Sequence, residues 1–104
     1  MILYNVTIGI DKEIENEWVA WMRATHIPAV MSTGIFVEFK FYKVLTHEDD
    51  ASTSYCVQYF TPTINEFNEY LNVYAPKLVE EHHQKFKDRH VAFRSLLEEV
   101  NSPG

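Results

Sequence analysis

One cysteine, Cys56, stands among 104 residues. A lone thiol excludes an internal disulfide framework and a thiolate zinc cage, each of which needs several. Three Gly and four Pro exclude fibrous and low-complexity character. Basic residues are scarce too: nine Lys and Arg oppose fifteen Asp and Glu, leaving a formal charge of −6. The densest basic stretch, Lys85, Lys87 and Arg89, is diluted by Asp88 and preceded by Glu80 and Glu81. Such a chain repels phosphate backbones, so no nucleic-acid partner is expected. No apolar run approaches the roughly 18 residues of a membrane helix. The first residues alternate apolar and polar, with no basic start or small-residue cleavage site, unlike a signal peptide. No membrane association and a cytoplasmic location are therefore expected. What is abundant is aromatic: two Trp, six Tyr and seven Phe.

The length suits one domain, expected over residues 1–100 with a C-terminal tail at 101–104. Ile2 to Ile10 alternates as a strand, with Ile2, Tyr4, Val6, Ile8 and Ile10 on one face. Asp11 is positioned to cap a following helix, whose early Glu13, Glu15 and Glu17 favour its positive end. Ile14, Trp18, Trp21, Met22 and Thr25 share a helical face. Pro28 is expected to break or kink that helix, and Gly34 to stop it. Phe36 to Leu45 reads as a second strand, Thr46 to Ser54 as a polar loop, and Tyr55 to Thr61 as a third strand. Thr63 and Glu66 have capping-box spacing. The helix they open carries a stripe of Ile64, Phe67, Leu71, Tyr74, Leu78, His82 and Phe86, interrupted at Pro76. Arg89 to Leu97 alternates as a fourth strand, although its Leu-Leu-Glu-Glu end leaves a helix open.

The order βαββαβ folds most simply into a four-stranded antiparallel sheet with both helices on one face, an α+β ferredoxin-like arrangement. Both faces of that sheet carry bulk. Phe36, Tyr42, Val44, Tyr55, Val57 and Tyr59 are expected on one side, and Val37, Phe39, Phe41, Leu45, Cys56 and Phe60 on the other. A helix layer covers one face only, and the other would be a large exposed apolar patch. Sheet-to-sheet packing into a homodimer is the expected cover.

The sequence resembles the dimeric α+β barrel superfamily, and more narrowly a family of short bacterial proteins known only as a domain of unknown function. The stretches that carry the resemblance are Ile2-Leu3-Tyr4-Asn5-Val6-Thr7, Thr25-His26-Ile27-Pro28, Val57-Gln58-Tyr59-Phe60, Tyr74-Ala75-Pro76 and Asp88-Arg89-His90-Val91-Ala92-Phe93-Arg94. The wider superfamily includes cofactor-free quinone-type monooxygenases, haem-degrading monooxygenases, small isomerases and stress-response modules. Fold alone does not choose among them. If a ligand is turned over, the resemblance implies cofactor-independent monooxygenase or isomerase chemistry.

Asn5 is a polar residue in an apolar strand, opposite in facing to Tyr4 and Val6. In the haem-degrading and quinone-oxidising relatives an Asn on the first strand positions substrate, which makes Asn5 a catalytic candidate beside its plainer role as a bonded interface amide. His26 and His82 are the other two. His26 sits before the Pro28 break, where freed backbone groups border clefts, or it simply caps local carbonyls. His82 lies on the apolar stripe, as either a satisfied core imidazole or, as the resemblance to the haem-degrading relatives implies, a haem ligand or proton donor. Trp18, Trp21, Tyr70 and Tyr74 are the candidates for binding a small aromatic ligand, with Trp packing in the core as the alternative. His82 and its neighbour His83 cannot share a metal from one regular helix, so no metal and no cofactor are expected. The second helix also lacks the Trp that haem-degrading relatives place against the macrocycle. Arg94 is expected in an ion pair with Glu38, or beside Gln58, at the dimer interface, and Cys56 as an inert thiol. The rival expectation is a non-catalytic dimerisation or regulatory module with no pocket.

Overall fold

The computed structural model describes residues 1–46 and 49–100. His47 and Glu48 of the expected loop, and the expected tail at 101–104, lie outside the described residues. The elements are β1 (Ile2–Asp11), α1 (Glu15–Trp21), α2 (Ile27–Met31), β2 (Glu38–Val44), β3 (Ser52–Thr61), α3 (Ile64–Glu69), α4 (Ala75–Lys85) and β4 (His90–Glu98). The strands form one antiparallel sheet in the order β2-β3-β1-β4. The alternation of Arg89 to Leu97 thus resolves as strand. No helix among the described residues is long and apolar enough to cross a membrane.

β1 is central and pairs with β3 through Tyr4↔Tyr59 and Val6↔Val57, and with β4 through Val6↔Arg94 and Ile8↔Ala92. Its alternating Ile2, Tyr4, Ile8 and Ile10 are buried under the helices. Aromatic side chains build much of this core. The Tyr4 ring lies 5.0–6.3 Å from those of Phe36, Tyr59, Phe67 and Tyr70, the spacing of favourable offset and edge contacts.

β2 departs from the expected facing. Phe41 pairs with Val57 and Tyr42 with Cys56, so Phe39 and Phe41 join Tyr55, Val57 and Tyr59 on the helix side. Tyr42 and Val44 lie with Cys56 and Phe60 on the bare side. The segment is apolar at both parities, so alternation alone could not choose its register. The bare face presents Phe93, 69% exposed, with Tyr42 and Leu97.

Both helices pass through their prolines instead of breaking. A widened π turn, Met22–His26, joins α1 to α2, and a second, Tyr70–Tyr74, joins α3 to α4. Pro28 and Pro76 then fall in the first turn of the next segment. Widening removes the regular i→i−4 geometry just where a proline lacks its N–H and crowds the preceding carbonyls. It also shifts the helical phase. Thr25, expected on the buried face, is exposed, while Ile27 and Val30 are buried. In the second widened turn Leu71 is exposed while Tyr70 and the following Ala75 are buried; of the expected stripe Ile64, before the turn, is also exposed, whereas Phe67, His82 and Phe86 are buried.

Three smaller devices set the connections. Asp11 does not cap α1, because a 3₁₀ turn over Lys12–Ile14 intervenes and the Asp11 side chain makes no cap bond. Its carboxylate instead accepts from Arg89 Nε at 2.5 Å, tying the end of β1 to the start of β4. Thr63 Oγ1 accepts from the Glu66 backbone N–H at 3.3 Å, one arm of the capping box, while the Glu66 carboxylate bonds Thr61 Oγ1. Gly34 takes φ +79° as the chain leaves α2, a conformation that favours glycine.

Candidate functional site

A small cavity lies where β1, β3 and β4 meet the middle of both helical rods. Tyr4, Val6, Val57 and Tyr59 form its floor, Met22 and His26 one wall, and Tyr70 and His82 the other. The exposed Val79 and Arg94 stand at its rim. Its volume is about 30 Å³, room for a water or two.

Two polar atoms in this wall have no partner. Tyr59 is 2% exposed, and its hydroxyl makes no hydrogen bond among the described residues; the same holds for buried His26 Nδ1. An unpaired buried polar atom costs about 1–3 kcal/mol, so each marks a place where something is missing or held in reserve. The other polar groups are engaged. Trp18, fully buried, donates its Nε1–H to His82 Nε2 at 3.0 Å. Arg94 acts on Tyr4 through its charge and a hydrogen bond to the phenol.

Burial dominates the protonation states. It pushes the His26 imidazole down to about 4 and His82 down to about 3, with the positive charge of Arg94 acting the same way. His90 adds to the effect on His82; its ring lies edge-on at 4.6 Å, and its Nδ1 lies 2.9 Å from the Phe86 carbonyl. Burial raises the Tyr59 and Tyr70 phenols, and that of Tyr4 against the pull of Arg94. At neutral pH the site therefore holds neutral imidazoles and neutral phenols beside one guanidinium. That set can donate and accept hydrogen bonds and move a proton. Among the described residues no cluster of three or more His, Cys, Asp or Glu could hold a metal.

Of the residues singled out from the sequence, His26, His82 and Tyr70 come together in the cavity. Trp18 acts behind it, through His82. Trp21 does not line it, but stacks on His26 at 5.3 Å and lies 5.8 Å from the His82 ring. Tyr74 turns to a shallow groove between the two rods, with Ala29 and Lys77. Asn5 does not join the site: it lies on the bare face, accepting from the Cys56 thiol and donating to Thr7 Oγ1 at 3.3 Å. The period of two that sends Tyr4 and Val6 under the helices sends Asn5 away from them. Burial pushes the Cys56 thiol up, which leaves it a poor nucleophile. Arg94 also corrects its expected place. It pairs with Val6 on the helix side, away from Glu38 and Gln58 on the other face.

Sequence reasoning missed Tyr4, Tyr59 and Arg94 as site residues. Tyr4 and Tyr59 are direct cross-strand partners on the covered face. A buried pair of phenols needing partners was the available signal.

Solved structures share the fold along the whole chain. HapK from Hahella chejuensis superposes with a TM-score of 0.72 at 12% identity, covering 100% of this chain and 97% of that one. A dimeric ferredoxin-like protein from an uncultured marine organism gives 0.68 at 9%, covering 98% and 97%. SnoaB, a cofactor-independent oxygenase from Streptomyces nogalater, gives 0.63 at 12%, covering 97% and 95%. Identities this low establish the ferredoxin-like fold and nothing finer. A search among curated proteins found no sequence match. The family model described as Domain of unknown function (DUF4286) matches residues 1–100, and the chain belongs to that family.

Proposed function

We propose that the protein is a homodimer, packed through the bare face of its sheet, that binds a small hydrophobic or aromatic molecule between helices and sheet. Where that molecule is turned over, the chemistry is cofactor-independent oxidation or isomerisation. The observation that carries the ligand site is the pair of unpartnered buried atoms, Tyr59 hydroxyl and His26 Nδ1, facing one aromatic-walled cavity. Folding leaves such atoms unpaired at a cost, and a ligand oxygen would satisfy them. The dimer rests on the exposed aromatics of the bare face and on the dimeric ferredoxin-like neighbour. SnoaB supports the reaction class by likeness of fold.

One observation favours a second reading, a dimer module without ligand. The cavity, about 30 Å³, is far below the roughly 300 Å³ of ordinary ligand pockets. Binding therefore requires the rim of Val79 and Arg94 to open. A thermal-shift screen of flat aromatic compounds separates the two. Saturating ligand at a hundred times its Kd stabilises by about 2.7 kcal/mol, and Tyr59→Phe and Arg94→Gln are expected to weaken that gain. A screen with no site-dependent stabilisation supports the module.

A further inference from the structure

The hydrogen bonding around His82 restricts what a ligand of this cavity must present. An indole N–H only donates. Trp18 Nε1 lies 3.0 Å from His82 Nε2 in a buried contact, so that nitrogen keeps its lone pair. A neutral imidazole with a bare Nε2 carries its hydrogen on Nδ1. His82 lines the cavity, and its Nδ1 has no partner among the described residues.

We infer that Trp18 is a positioning residue that fixes His82 as an Nδ1–H donor, and that the cavity thereby selects a flat ligand presenting a carbonyl acceptor over an equally flat one with no acceptor. The inference rests on the cavity being a ligand site. Beside His82, Arg94 supplies only donors, the unpartnered Tyr59 hydroxyl can donate, and the unpartnered His26 Nδ1 takes whichever role its tautomer sets. The opposite tautomer would set two N–H groups against each other inside the core. The groups that face His82, namely His26, His83, His90 and Arg94, include no carboxylate to hold it as a cation. The same bond occupies Nε2, so His82 cannot offer that nitrogen to a metal without stripping Trp18 of its acceptor.

The test is heteronuclear NMR on the protein with isotope-labelled histidines, combined with titration of two probes of similar shape, indanone and indane. In the wild type His82 is expected with Nδ1 protonated and Nε2 bare near neutral pH, and Trp18→Phe is expected to lose that preference. Indanone is expected to bind about tenfold tighter than indane and to move the His82 Nδ1–H resonance. A wild-type His82 protonated on Nε2 overturns the positioning role, with no variant needed. Indane binding as tightly as indanone, with the tautomer as stated, overturns the ligand class alone. Binding of neither probe overturns that class together with the site reading beneath it.

Discussion

Lowering the pH from about 7.5 to about 5 places two protons on the unfolded chain, at the free imidazoles of His26 and His82, that the folded chain refuses. Their ordinary value is 6.5, whereas in the fold His26 lies at about 4 and His82 at about 3. The unfolded state therefore binds more protons below pH 6.5, and stability falls as pH falls until the folded values are reached. Over this window each imidazole costs about 2 kcal/mol, or about 4 kcal/mol for the pair. That is a large share of the 5–15 kcal/mol typical of a domain. Nothing anionic is at hand to offset it: the charges that act on the two rings are Arg94 and the other histidines. The depressed carboxylates, Glu15 and Asp49, act in the same direction along the pH axis, also stabilising less as pH falls. Their contribution is lost only as pH falls below about 4, outside the window. Urea titration at the two pH values, at fixed protomer concentration and read by Trp fluorescence, is the measurement. With an m-value of about 2 kcal/mol/M the midpoint falls by about 2 M. His26→Gln is expected to remove about half of the pH-dependent loss. A midpoint unchanged down to pH 5 refutes the burial of neutral imidazoles and the tautomer argument that depends on it.

Three other outcomes are open to measurement. Tyr59→Phe deletes an unpaired hydroxyl, so the ligand-free protein is expected to gain about 1 kcal/mol in chemical denaturation; a loss of that size would mean the hydroxyl has a partner. Phe93→Glu puts a charge on the bare face at edge strand β4, and sedimentation is expected to show the mass falling to one protomer while far-UV circular dichroism is unchanged. A dimer that survives the substitution argues for another interface. Gly34→Ala meets no atom within 4 Å of the added methyl but keeps φ at +79°, so its expected cost is about 1 kcal/mol of pure backbone strain, seen as a lower Tm.

The fold was legible because β1 and β3 alternate cleanly enough to fix one buried face, while β4, which alternates but buries no residue, left a helix open until its pairing with β1 settled it. β2 was legible as a strand but not in its facing, since Phe39, Phe41, Tyr42 and Val44 fill both parities and only pairing with β3 decides between them. The helices were legible in extent but not in phase at residues 22–26 and 70–74, where the widened turns leave Thr25 and Leu71 outside, while Phe67, His82 and Phe86 keep the expected facing. The site was half legible. His26, His82 and Tyr70 advertise themselves as titratable or phenolic groups near apolar stripes. Tyr4 and Tyr59 looked like sheet filler until strand register set them side by side. Asn5 illustrates the converse, a residue type with a catalytic precedent carried by alternation to the wrong side of the sheet.

The two widened turns also have a mechanical consequence. A helix of uniform pitch can creep along its seat like a screw, exchanging one set of neighbours for the next in small steps. A rod whose angular setting changes midway, as each does here before Pro28 and Pro76, has no such path, because any rotation that suits one half unseats the other. Each rod behaves as a keyed shaft, locked in both angle and depth.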